Sequence, residues 1–198
     1  MQRLVSLVAI VVPTMAFAIP VDLSSWTSEG GLSTWTVMGA DSDTVLQTQN
    51  GDPTVFYDPT DTSSQGTALS GSITVQSPTL GFNDDDFIGF VLGYNAGEVF
   101  NSGGGGEFYL IDWKQADQDG FCGGTAEAGL AFSVVTNDVA TNNCRYWRHG
   151  SAPGLTEIER GATLSDTGWI DETEATFNIV YTSDLIEVTV NGVLELSI

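Results

Sequence analysis

Apolar residues recur at every second position over short stretches of this chain, and turn-forming clusters separate the stretches. Near the end, Ile186 and Val188 alternate with Glu187 and Thr189, and Leu194, Leu196 and Ile198 alternate with Glu195 and Ser197. A period of two puts alternate side chains on one face of a strand. β-branched or alternating runs at 34–38, 44–49, 54–57, 69–76, 87–94, 108–113, 129–136, 175–182 and 185–190 each predict a strand. Between them lie Asp- or Gly-rich clusters at 58–66, 101–106, 117–120 and 149–154. No stretch after residue 18 sustains an apolar period of 3.6, which argues against any helix of three turns. Many short strands joined by Gly-rich turns predict an all-β sandwich or jelly roll.

The last hairpin allows a test of register. A two-residue Asn191-Gly192 turn would pair Thr189 with Leu194, placing polar against apolar. A three-residue loop, Val190-Asn191-Gly192, pairs Val188 with Leu194 and Ile186 with Leu196 instead. A slip of one residue reverses the buried face, so the three-residue loop is the expected one, with Gly192 at a left-handed position. The sequence stops at Ile198, inside this strand and without a polar cap, and the expectation is a sandwich lacking its final strands.

The first 18 residues read as a secretory signal: Arg3, an apolar stretch from Leu4 to Met15, then Ala16-Phe17-Ala18 as the cleavage site. The apolar stretch is too short for a comfortable membrane span. The expected products are an exported chain of residues 19–198 forming one domain, and no membrane insertion after cleavage. Export into an oxidising compartment fits a disulfide between the two cysteines, Cys122 and Cys144. Such a bridge closes a loop of roughly 20 residues and stabilises by about 3 kcal/mol on the chain-entropy model.

Charge narrows the partners. Lys and Arg number 5 against 26 Asp and Glu, for a formal charge of -21 across 198 residues. Nucleic acid is excluded, because no basic footprint exists to displace phosphate counterions. Cations, neutral sugars and basic protein surfaces remain, beside the plain reading that the charge maintains solubility.

Asp84, Asp85 and Asp86 stand at the mouth of the apolar run from Phe87 to Tyr94. They form either a solvated Asx turn or an oxygen site for a hard cation such as Ca²⁺. Asp112 interrupts the apolar run Tyr109-Leu110-Ile111-Asp112-Trp113 and wants a partner: a cation held by the triplet, Lys114 on the same face, or solvent on a polar face. Trp113 and Tyr94 could stack on a sugar but suit the core better. The lone His149 builds neither a triad nor a zinc site, and Gly103 to Gly106 lack the Lys-Ser/Thr of a phosphate loop.

The motif Asp84-Asp-Asp-Phe-Ile-Gly-Phe-Val-Leu-Gly-Tyr94, followed by Phe108-Tyr-Leu-Ile-Asp-Trp-Lys-Gln115, resembles the thrombospondin C-terminal domain. The order continues through Ala128-Gly129-Leu130, Tyr146-Trp147-Arg148-His149-Gly150 and Thr167-Gly168-Trp169, so the likeness runs from about residue 80 to residue 194. It implies an L-type-lectin-like (concanavalin-like) jelly roll, and a calcium role for Asp84, Asp85 and Asp86. It also implies adhesion to matrix protein or glycan. Acidic repeats do not precede the domain, which points to a bacterial exported protein rather than an animal matrix protein. The cysteines match none of the family's, and Asp112 is not carried over.

The expected function is thus a secreted, calcium-binding, non-enzymatic contact module. Its rival is a glycoside hydrolase on the same sandwich, which needs two carboxylates about 5 to 9.5 Å apart. No Glu-x-Asp-x-x-Glu strand exists, and Glu157-Ile158-Glu159 is the nearest approach.

Overall fold

The structure is a computed structural model and describes residues 20–31, 34–49, 51–60, 65–77, 86–99, 106–120, 123–136, 143–148 and 154–198. Its strands are β1 (Thr27–Gly30), β2 (Trp35–Met38), β3 (Thr44–Gln47), β4 (Thr54–Tyr57), β5 (Thr67–Ile73), β6 (Phe87–Leu92), β7 (Phe108–Lys114), β8 (Gln118–Asp119), β9 (Thr125–Ala126), β10 (Gly129–Val135), β11 (Leu155–Arg160), β12 (Ala175–Tyr181), β13 (Ile186–Val190) and β14 (Val193–Ser197). One short helix, α1 (Asn143–Arg148), stands between β10 and β11. The protein is all-β. No helix among the described residues is long and apolar enough to cross a membrane.

Two four-stranded antiparallel sheets form the sandwich, one in the order β11-β10-β7-β6 and the other β14-β13-β12-β5. Alternation decides which side chains meet between them. Ile111 and Trp113 of β7 and Leu130 and Phe132 of β10 pack against Phe177 and Ile179 of β12, Val188 of β13 and Leu196 of β14. On the far face of the second sheet the intervening positions, Ser70, Ser72, Thr176 and Asn178, are exposed. That sheet therefore has one dry face and one wet face.

The first sheet differs, because both of its faces are covered. Phe108 of β7, Val135 of β10 and Leu155 of β11 point away from the sandwich into a second core with Val55, Tyr94, Val99 and Tyr146. The strand pair β1/β4 and the helix α1 supply this outer layer, and Glu29 fixes it electrostatically. Its carboxylate accepts hydrogen bonds from the hydroxyl of Tyr94, from Tyr57 Oη at 3.1 Å and from Gly97 N at 2.6 Å. Trp113 and Tyr94 are both core residues.

The closing hairpin departs from the expected register. Val190 pairs with Val193 and Thr189 with Leu194 around a two-residue Asn191-Gly192 turn. Both turn residues have positive φ, 50° and 82°, the mirror-image geometry that matches strand twist. A bulge at Glu195 then shifts the pairing so that Val188 meets Leu196. The bulge recovers the buried face that the turn alone would lose: Leu196 is 1% exposed whereas Leu194 is 49% exposed. The expected three-residue loop is therefore incorrect.

Candidate functional site

Of the acidic triplet, Asp86 is partly buried immediately before β6, whereas Asp84 and Asp85 lie outside the described residues. The strand register sets Asp112 apart from Asp86. On the adjacent strand Asp112 pairs with Gly89, three residues further along β6 than Asp86. Among the described residues no group of three or more His, Cys, Asp or Glu could hold a metal ion. Cys144, in α1, is disulfide-bonded. Cys122, the chain's other cysteine, lies outside the described residues, as do His149 and 101–105 of the glycine-rich loop.

Asp112 instead belongs to a charged row on the outer face of the first sheet. It is 2% exposed and lies between two small residues, Gly89 on β6 and Ala131 on β10. Arg160 of β11, opposite Ala131, shares that face. Burial works against the Arg160 charge, but the hydrogen bond and charge of Glu157, then Glu127 and Asp112, outweigh it and raise its pKa. Its guanidinium grips Glu157 at 2.9 Å and donates to the carbonyls of Ala128 and Ser165 at 2.7 and 2.8 Å. Lys114, one strand position pair beyond Asp112, is 0% exposed. Its ammonium donates to Gln118 Oε1 and lies over the rings of Phe87 and Trp147, at 5.1 and 5.6 Å from their centroids. Buried charges persist when hydrogen bonds and aromatic faces replace water, which is the arrangement around Lys114.

Glu157 and Glu159 do not form a carboxylate pair. The β10–β11 register shifts between Phe132 and Ser133, so Ser133 faces Glu157 whereas Phe132 faces Glu159. Neighbouring residues of a strand point to opposite faces, and the bulge at Ile158 therefore sends the two acids to opposite sides of the sheet.

A recess of about 390 Å³ opens between the two sheets where the turn after β12 leads into β13. That is within the range of small-ligand sites. Its walls are the rings of Tyr109, Phe132 and Tyr181, with Ile158 half exposed at the rim. Tyr109 stacks on Phe132 with centroids 5.4 Å apart and meets Tyr181 edge-on at 6.2 Å. The turn that follows β12 brings Thr182, Ser183 and Asp184 to one side. Burial, reinforced by Tyr109, raises the pKa of Tyr181. These residues were not singled out in the sequence; the only local signal was a tyrosine closing an apolar strand beside a polar turn.

Comparison with protein-family models gives no match for this chain, and comparison with curated proteins gives none either.

Proposed function

We propose that the chain is a secreted, non-enzymatic contact module for extracellular glycan, built on a lectin-like jelly-roll sandwich and supported by Ca²⁺ at Asp84, Asp85 and Asp86. The observation that carries the reading is the cleft of about 390 Å³, where the partly exposed ring of Tyr109 meets the Thr182 and Ser183 hydroxyls and the Asp184 carboxylate. Sugars present apolar CH faces to aromatic rings and hydroxyls to polar rims, so this composition suits a neutral polyhydroxylated ligand. The formal charge of -21 favours neutral glycans over sulfated ones. Because the register separates Asp112 from Asp86, the calcium proposal rests on the triplet alone.

Retention on an array of neutral polysaccharides tests the reading, with release of reducing sugar measured in parallel. Asp184→Ala and Ile158→Asp alter exposed rim positions, and each is expected to weaken retention about tenfold, equivalent to about 1.4 kcal/mol. Release of reducing ends by the parent chain, or retention indifferent to both substitutions, would sink the proposal. Calcium is read separately. Free ion a hundredfold above Kd stabilises by about 2.7 kcal/mol, so melting temperature should rise with Ca²⁺ more than with Mg²⁺. Asp85→Ala combined with Asp86→Ala should remove most of that rise; a melt indifferent to Ca²⁺ and to chelator would reduce the triplet to a solvated turn.

A further inference from the structure

Each sandwich sheet has two outer strands, and three of these four resist pairing with another chain. β11 holds Glu157, Glu159 and Arg160, and its register shifts opposite Phe132 and Ser133. β14 is bulged and turns the Glu195 carboxylate inward. β6 is partly buried along most of its length. Charges, bulges and cover are the usual means of keeping a sheet edge from acting as a template. β5 has none of them. It pairs with β12 without a shift from Thr67 to Ile73, and among the described residues β12 is its one neighbour. Every position from Thr67 to Ser72 is exposed. In a chain with 26 Asp and Glu, residues 62–83 contain no charged side chain at all.

We infer that β5 is the interface to a second copy of this chain, the two strands pairing antiparallel about a dyad at Ser70 to make one continuous sheet. The fit of the strand to itself selects this occupant. With Ser70 facing its own copy, Leu69 stands opposite the partner's Gly71, and Ala68 opposite the partner's Ser72. Leu69 lies on the dry face beside Ile179 and is 37% exposed. No atom lies within 4 Å of the place a Cβ would take on Gly71, so that place is open to the Leu69 of a second copy. The apolar row of the sandwich then continues across the dyad, while small side chains alone meet on the wet face. An isologous contact of this kind closes on itself. Charge agrees with the choice. β5 offers a basic strand no carboxylate of its own, and between two copies it sets no like charges face to face. The formal charge of -21 on each copy still repels at longer range, so salt should strengthen the contact, the reverse of an ionic interface. The inference is independent of the glycan and calcium reading, because no residue of β5 lines the cleft or belongs to the triplet.

Sedimentation velocity of the full-length protein over a wide concentration range, in low and high salt, tests it. The mass should double with concentration and stop at the dimer, and high salt should favour the dimer. Ser70→Lys sets two ammonium groups opposite each other on the dyad. It should weaken the dimer about tenfold and leave the melting temperature of dilute protein unchanged. Cross-linking reads the register directly, since no described cysteine is free. Residues directly opposite on antiparallel strands lie within disulfide reach. Ser70→Cys should therefore oxidise to a covalent dimer. Ser72→Cys should not link to itself but should link to Ala68→Cys when the two are mixed. A monomer at every concentration overturns the inference and leaves the edge to solvent or to a strand of another protein. Growth beyond the dimer, dissociation by salt, a dimer indifferent to Ser70→Lys, or Ser72→Cys linking to itself as readily as Ser70→Cys would each overturn it too.

Discussion

Glu195 occupies the bulge of β14 and turns inward, where it is 3% exposed. Its carboxylate accepts from Thr163 N at 2.8 Å, Thr163 Oγ1 at 2.5 Å and Leu164 N at 3.1 Å. One side chain thereby ties the 162–165 turn after β11 to the edge of the other sheet. Hydrogen bonds to a buried carboxylate are stronger than neutral ones, and two of these donors are backbone N–H groups. Glu195→Ala should therefore lower the unfolding free energy by about 3 kcal/mol, read as an earlier urea midpoint at unchanged slope. Glu195→Gln keeps an acceptor and should fall between the two. A midpoint for Glu195→Ala within experimental error of the parent would mean the contact is not formed in solution. In the sequence, Glu195 reads only as the solvent-facing partner of Leu194 and Leu196. Its burial depends on a bulge that alternation cannot reveal.

Strands were legible where one face is wet. β12 and β13 alternate cleanly, and their bounds, Ala175–Tyr181 and Ile186–Val190, each fall one residue inside the expected stretches at one end. β11 was missed because the bulge at Ile158 breaks its period, so Leu155-Thr-Glu-Ile-Glu-Arg160 has no consistent polar face. The outer layer on the first sheet was missed for a related reason. Phe108-Tyr-Leu-Ile in β7 and Leu130-Ala-Phe in β10 are near-continuous apolar runs, a sign of burial on both faces that alternation counting passes over. The aromatic cleft was illegible, since it exists only where two sheets part. The expected strand at 87–94 nonetheless contains an element-level test. Gly89 of β6 lies against the backbone of β7, where a Cβ would overlap the carbonyl oxygen of Ile111. Gly89→Ala must therefore push the two strands apart, at a cost of about 3 kcal/mol, near the upper end for overpacking. Gly71, equally central in β5 but with open space above it, is the control: Gly71→Ala should change the melting temperature little or raise it. Equal effects from the two substitutions would argue against the β6–β7 register described here.

At the scale of the whole molecule, three buried or half-buried phenols set how the fold responds to alkali. Burial is the leading cause of the raised pKa of Tyr57, Tyr146 and Tyr181; Glu29, Glu98 and Tyr109, respectively, add to it. They are spread over the structure, with Tyr57 and Tyr146 in the outer layer and Tyr181 in the core between the two sheets. The sign follows from which form the fold prefers. The native state holds each phenolic proton more tightly than the unfolded chain does, so this stabilisation is fully present below the ordinary value of 10.0. It is lost as pH rises through the unfolded value towards the raised native one. The formal charge of -21 acts in the same direction, since each new phenolate joins a surface that already repels itself. Unfolding free energy should therefore be level in the phenolic contribution from neutral pH to about pH 10, then fall steeply with further base. Tyr146→Phe separates the two effects. It removes the hydroxyl that donates to Val99 O at 3.2 Å, costing about 1 kcal/mol at neutral pH, and should flatten the alkaline limb. Adding 1 M salt screens the general repulsion at a Debye length of about 3 Å but leaves the burial of the phenols unchanged. In high salt the parent should still lose stability above pH 10 more steeply than Tyr146→Phe. Parallel alkaline limbs for the two proteins would remove Tyr146 from the account and leave surface charge alone to explain the fall.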